Sequence, residues 1–275
     1  MNDRCIDLHI HSDHSDGTFS INRIITLAHR LGLAAISITD HDTIGGLDTA
    51  LQVGKVVGVE VIPGVELSAA VGERDIHLLG YCIDPSDRQL LRYLTMFKEE
   101  RYRRAERIVR KLNGIGLSLD FETVMTKAGS GAVGRPHIAD ALVTEGFVST
   151  TGEAFAKYIG YSGPAYEAKY AITPDMAIQL IRGAGGMVVI AHPGTYDAET
   201  YLPCLLNAGA EGIEVIYPKH TDEQRLRYEY LAETCGLVKS GGSDCHGDRH
   251  GDVRMGTMDV PYAYLEAIRN VVSKR

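Results

Sequence analysis

Short β-rich runs recur along the chain, near residues 5–11, 34–40, 58–66, 75–81, 187–191, 211–217 and 237–242. Each reads as a strand bounded by turn residues. Between most of them the apolar spacing changes to three and four residues, as a helix requires. In SINRIITLAHRLG (20–32), Ile21, Ile24, Ile25, Leu27, Ala28 and Leu31 form one stripe; Ser20 is placed to cap its start and Gly32 to end it. Seven strands alternating with helices predict a parallel β/α architecture. The rhythm breaks between 81 and 187. That interval opens with a basic amphipathic segment, LLRYLTMFKEERYRRAERIVRKLNGIG, ending at Gly114 or Gly116, and continues through the glycine-rich turn AGSGAVGRPHIADAL to about residue 171. It reads as a helical insertion, residues 98–171, in a domain made of residues 1–97 and 172–275.

Composition narrows the class. The 275 residues are 44% hydrophobic and 23% charged, enough to bury a large core. No apolar run approaches the ~18 residues of a membrane span. The first strand starts too early to leave room for a signal peptide's apolar stretch. Five cysteines without a C-x-x-C spacing argue for reduced thiols and a cytoplasmic setting. A net charge of −8 argues against a basic surface for long nucleic acid.

The polar residues of the apolar runs carry the chemistry. In CIDLHIHSDHSDG (5–17), His9 and His11 alternate with Leu8 and Ile10, so both imidazoles project from one face of the strand, with Asp16 in the loop beyond. The second run ends in Asp40, His41 and Asp42. The third places Glu66 just past its tip. The fourth carries His77, the fifth ends in His192, and the last ends in Asp244 and His246. In a parallel barrel such ends converge on one face, where barrel chemistry sits. Six histidines and three carboxylates at corresponding positions suit zinc, iron or manganese and exceed the needs of one ion. His14, His29, His220 and His250 have no part in this pattern.

The motifs DLHIHS (7–12), ITDHDT (38–43), PGVELS (63–68), DIHLLGY (75–81), GRPHIA (134–139), IAHPG (190–194) and GGSDCHG (241–247) together resemble the PHP (polymerase and histidinol phosphatase) family of the amidohydrolase-like superfamily. The resemblance implies an α/β fold, a distorted (β/α)7 barrel with a helical insertion subdomain, and a centre of three divalent ions (Mn, Fe or Zn). It implies that His9, His11, Glu66 and Asp244 hold one ion and that Glu66 bridges to a second, held also by His77 and His192. Asp16, His41 and His246 would hold the third, with Glu66, Asp244 and His192 as the catalytic members. Asp7, Asp40 and Asp42 are read as outer partners or caps. The implied activity is a metal-dependent phosphoesterase acting on small nucleotide-like or sugar-phosphate metabolites: a nucleoside 3′,5′-bisphosphate, short oligonucleotide ends or a ribose cyclic phosphate. Metal-bound hydroxide would attack phosphorus. Histidinol-phosphate phosphatase and a non-catalytic binding module are the alternatives.

For the substrate, Arg135 is placed to fork onto phosphate oxygens and His137 to contact phosphate or assist protonation. The cations Lys98, Arg101, Arg104, Arg107 and Arg110 crowd one helix and read mostly as a solvated face pairing with Glu99, Glu100 and Glu106. Lys98 or Arg101, near its start, is positioned to reach a second phosphate, and Lys169 is a similar candidate. Cys245, on a strand-like path between Asp244 and His246, would turn its thiol away from them.

Overall fold

The computed structural model describes residues 5–275 apart from Glu73, Ser130, Ala171, Asp197 and His250. All seven expected strands form: β1 (Cys5–Ile10), β2 (Ala35–Ile38), β3 (Glu60–Val71), β4 (Arg74–Tyr81), β5 (Met187–Ile190), β6 (Gly212–Ile216) and β7 (Val238–Gly241). A two-residue β8 (Val260–Pro261) joins them, and the spatial order is β7-β6-β5-β4-β3-β2-β1-β8. The sheet nearly closes on itself. Ile10 bridges to Cys245 beyond β7, and the His11 N–H donates to the Cys245 carbonyl at 2.9 Å. At this seam Gly242 lies so close to β1 that a Cβ would sit 2.4 Å from the His9 nitrogen, so only glycine fits.

The expectation of an all-parallel sheet needs correction. β4 runs antiparallel to both β3 and β5, pairing Glu66 with Leu79 and Ser68 with His77. A parallel crossover needs about a dozen residues, and only two positions, 72 and 73, separate the two strands. β3 therefore runs on past 66, and Glu66 sits in mid-strand instead of at a tip. His77 lies in the first half of β4, which an antiparallel strand brings to the same face as the carboxyl ends of its neighbours.

Helices α1 (Ile21–Arg30), α2 (Leu47–Val57), α3 (Arg88–Gly114), α4 (Phe121–Ala128), α5 (Arg135–Thr144), α6 (Thr151–Ala154), α7 (Pro174–Gly183), α8 (Ala198–Asn207), α9 (Asp222–Cys235) and α10 (Tyr262–Val272) surround the sheet or form the insertion. Ser20 caps α1 by accepting from the Arg23 N–H, as its position predicts. Two separate apolar clusters matter for the site. One packs sheet residues such as Ile6, Leu8, Leu67, Leu78 and Val189 against α7 and α10. The other is drawn wholly from 105–165, with Ile108, Leu112, Ile138 and Leu142 at its centre. Each fully buried Leu or Ile contributes roughly 1.5–3 kcal/mol, so the segment between β4 and β5 carries a core of its own.

Candidate metal centre

Strand period decides why His9 and His11 are together. Leu8 faces the sheet–helix core, while both imidazoles point inward with no exposed surface. Around them the remaining candidates form a closed circuit. Ring centroids are 5.1 Å apart for His9–His11, 4.6 Å for His11–His41, 4.9 Å for His41–His77, 5.3 Å for His77–His192 and 5.7 Å for His192–His9. The hub is the Glu66 carboxylate. Its Oε2 lies 3.2 Å from His9 Nε2, His11 Nε2 and His41 Nδ1, and its Oε1 lies 2.9 Å from His77 Nδ1 and 3.1 Å from His192 Nε2. His246 stacks on His11 at 4.2 Å beside Asp16, whose Oδ1 is 3.3 Å from His246 Nε2. Asp244 Oδ1 completes the set, 3.1 Å from His11 Nε2.

Such a cluster is costly unless something occupies it. Both ring nitrogens of His11 and the Nδ1 atoms of His41 and His77 are buried without a hydrogen-bond partner. Burial pushes His41 and His77 below the ordinary imidazole range, leaving neutral rings with free lone pairs. Burial also acts to lower His11, but the Asp244 and Glu66 carboxylates beside it outweigh burial and carry that pKa up to about 10 in the absence of metal. Burial would raise Glu66, Asp16 and Asp244, yet the surrounding imidazoles hold all three well below the carboxylate range. Ionised carboxylates and lone-pair nitrogens facing inward are the donor set of divalent transition metals. All nine candidates fall into ligand groups whose atoms lie within 4.8 Å of one another: His11, Asp16, His41 and His246; His9, His11 and Asp244; His9, Glu66 and His192; His41, Glu66 and His77. The residues thus fit metal. The groups overlap: His41 stands beside both Asp16 and Glu66, His77 and His192 each share a group with Glu66, and one group contains Asp16, His41 and His246 together.

The loops that carry the candidate ligands are fastened by buried aspartates. Asp40 accepts from the Ser12 N–H at 2.7 Å and from the hydroxyls of Ser12 and Ser15, fixing the loop that leads to Asp16. Asp7 accepts from the Ser243 N–H at 2.9 Å, ahead of Asp244. Asp42 accepts from the Ser68 N–H and hydroxyl at 2.7 and 2.8 Å. Among these, none binds a ligand's ring. That part belongs to Glu214, absent from the sequence-based reading: it lies fully buried in β6, with Oε1 2.9 Å from His9 Nδ1. A lone carboxylate inside the apolar run GIEVI was its signal. Tyr217 donates to Asp244 Oδ2 at 3.0 Å. His192, Asp244 and Asp42 all hold left-handed backbone, with φ of 29°, 48° and 51°. Cys245 is buried among Ile10, Phe19 and Met255 and its thiol pKa is pushed up by burial, which suits packing and not nucleophilic attack.

Beside the metal-ligand cluster lies a cavity of about 460 Å³. Asp16, His41, His77 and His192 reach it from one side; Arg74, Arg101, Arg104, Arg135 and Lys169 reach it from others. Arg104, expected on a solvated face, is buried, donating Nε and Nη2 to the Glu167 carbonyl at 3.0 and 2.8 Å. Burial, then the charges of Arg135 and Arg101, lower its pKa to about 10. Arg107 pairs with Glu167 at 2.7 Å in place of the expected helix partners. Arg101 is ion-paired with Asp42, and Lys169 donates to Ser68. Arg135 stands among Phe155, Tyr161 and Tyr166, 5.1–5.7 Å from each ring centroid. Two expected substrate residues are not brought to this cavity. Lys98 lies on the other side of α3, along a groove with Thr43, Asp48 and Thr95. His137 is turned inward, its Nδ1 accepting the Gly134 N–H at 3.0 Å to cap α5. His250 lies outside the described residues.

The PHP domain profile matches residues 7–130. Over 263 residues the chain is 34% identical to the 3′,5′-nucleoside bisphosphate phosphatase of Chromobacterium violaceum, covering 93% of this chain and 92% of that protein. It is 35% identical over 246 residues to a 5′-3′ exoribonuclease of Haemophilus influenzae (87% and 89% covered). A phosphoribosyl 1,2-cyclic phosphate 1,2-diphosphodiesterase of Eggerthella lenta is 31% identical over 246 residues (88% and 94%). Among solved structures, an amidohydrolase from Chromobacterium violaceum with bound sulfate superposes with a TM-score of 0.86 at 32% identity, covering 95% of this chain and 96% of that one. A proposed metal-dependent phosphoesterase from Bifidobacterium adolescentis gives 0.88 at 29% identity (96% and 95%).

Proposed function

The chain belongs to the PHP family, and from that membership we propose that it is a metal-dependent phosphoesterase whose substrate is a small nucleotide bearing a second anionic group. The observation that carries this reading is the juxtaposition of the nine-residue donor set with a cavity walled by five cations, in a protein that is acidic overall. Arg104 is the sharpest part of it. A buried guanidinium with other cations as neighbours needs an anion, and phosphate is the anion its fork fits.

In this reading His9, His11, Asp16, His41, Glu66, His77, His192, Asp244 and His246 hold three divalent ions. When bound, such ions lower the pKa of a coordinated water from ~15.7 toward ~7 and neutralise phosphate oxygens. The protein's own groups do the rest. Arg101, Arg104, Arg135 and Lys169 bind the second anionic group and orient the ester. Burial, then the charge of Arg101, lowers Lys169 to about 8, so its Nζ still carries a proton at neutral pH. Tyr161 and Phe155 offer flat apolar faces to a base. Residues 98–171 act as an insertion subdomain that supplies most of this wall to the barrel. We place the protein in the cytoplasm; no helix among the described residues is long and apolar enough to cross a membrane.

Phosphate release from a panel tests the reading: a nucleoside 3′,5′-bisphosphate, a nucleoside monophosphate, a ribose cyclic phosphate, a short oligonucleotide and histidinol phosphate, each with metal-reconstituted protein. The bisphosphate or another doubly anionic nucleotide should give the highest kcat/KM. A preference for histidinol phosphate would overturn the reading. Elemental analysis of the reconstituted protein should find more than two metal equivalents per chain, since nine donors exceed the needs of two ions; one equivalent would refute the three-ion arrangement.

Arg135→Ala is expected to raise KM by about tenfold or more with a smaller change in kcat, the loss of one charge-assisted bidentate contact. Arg135→Lys should recover only part of this, because an ammonium lacks the planar fork. Steady-state kinetics on the best panel substrate checks both. Wild-type KM in the two variants would return Arg135 to a role in packing against Phe155 and Tyr161.

A further inference from the structure

Glu214 is costly where it stands. Its strand neighbours Ile213, Val215 and Ile216 are buried, its own side chain is fully buried, and an unpaired carboxylate in such a place is strongly unfavourable. Its two oxygens are used separately. Oε1 meets His9 Nδ1 at 2.9 Å, and Oε2 accepts the backbone N–H of His192 at 2.7 Å. These two residues arrive from different strands, β1 and the end of β5, and His192 does so with left-handed backbone. Both then present Nε2 to Glu66, His9 to one oxygen at 3.2 Å and His192 to the other at 3.1 Å.

We propose that Glu214 is a positioning residue for the metal centre: one carboxylate spans the His9 ring and the His192 backbone, fixes a proton of His9 on Nδ1, and so holds both side chains with Nε2 toward Glu66, where metal would bind. This rests on the reading that the nine residues hold metal. The tautomer follows from the contact. An ionised carboxylate can only accept, so Nδ1 must donate, and Nε2 is the nitrogen left to give its lone pair to a metal ion once one is bound. Glutamine at 214 has the same shape but one accepting oxygen. Either its NH2 group faces the His192 N–H, or it donates to His9 Nδ1 and drives the ring proton to Nε2, where it blocks coordination. Aspartate keeps the charge but is one methylene too short to span both partners.

The test needs no substrate. Apo protein is titrated with zinc against a competing chelator, for wild type, Glu214→Gln and Glu214→Asp, alongside thermal unfolding of each apo form. Outer partners of metal-binding histidines typically set affinity by about 10–100-fold. One zinc-binding step should weaken by about that factor in both variants, the remaining steps should stay at wild-type affinity, and apo Glu214→Gln should unfold no earlier than wild type. Should Glu214→Gln fail to fold, Glu214→Asp decides alone. Wild-type affinity at every step in either folded variant would overturn the proposal. So would failure of both to fold without metal, which would assign Glu214 to the core. A wild-type protein that binds no zinc would refute the metal reading itself, a separate outcome.

Discussion

Glu66→Gln should abolish phosphate release, by about 10³-fold or more in kcat, at wild-type secondary structure. The magnitude follows from what one side chain touches. Five imidazole nitrogens lie within 3.2 Å of its two oxygens, and removing even one preorganised hydrogen-bond donor from a reaction centre commonly costs about 10²–10³-fold in kcat. In the proposed function the same group would also hold the ions. The amide removes a full negative charge between ligands of two ion sites and places an NH2 group against lone pairs that should face metal. Stability should not fall in parallel. The Glu66–Leu79 pairing is made by the backbone, and removing a buried charge relieves desolvation. Kinetics on the best panel substrate, metal content and circular dichroism measured on one preparation decide the matter. Near-native kcat at full metal loading would refute the bridging role.

Arg101→Met should lose on two counts. Arg101 is ion-paired with Asp42, whose carboxylate is fully buried. Breaking a buried pair from one side costs about 3–5 kcal/mol; Asp42 keeps Ser68, so about 2–3 kcal/mol is expected at pH 7. Urea unfolding of the apo proteins reads this as a shift in midpoint at constant slope. Burial would raise the Asp42 pKa, but Arg101 and then Lys169 outweigh it and hold it at about 2, below its ordinary 3.8. A depressed acid stabilises the fold above its ordinary pKa and loses that contribution as pH falls toward the folded value. The gap between wild type and variant should therefore be widest above about pH 4 and narrow as pH falls toward 2. KM should also rise, since the guanidinium lines the cavity. An Arg101→Met protein as stable as wild type would sever α3 from the ligand loop.

That nine donor side chains would meet was legible because strand period and the recurrence of His, Asp and Glu in the apolar runs coincide: His9 and His11 share one face of β1, and the other seven gather around them. Direction was less legible. Alternation tells which face a residue takes and not which way its strand points, so β4 read as parallel although the short gap before Asp75 contradicted it. Long-range partners were least legible. Glu214 meets His9 across 205 positions, and in one dimension it is a lone acid in an apolar word. Arg104 and Lys98 lie on one helix with similar neighbours; only the packing of 155–167 against α3 buries the first and leaves the second on another groove.

The left-handed backbone at Asp42, His192 and Asp244 has an evolutionary consequence. Non-glycine residues there carry strain of order 1 kcal/mol or more each, which glycine would relieve. At His192 and Asp244 selection for stability alone would push toward glycine, so those identities persist only under selection for the reaction, whereas Asp42 is also kept by its pairing with Ser68 and Arg101. A lineage that no longer needed turnover would drift first at these sites while the barrel remained sound, because most folds sit only a little above the stability they require. Inert descendants of this fold should thus be recognisable by glycine or asparagine at the positions of 192 and 244, well before the core begins to erode.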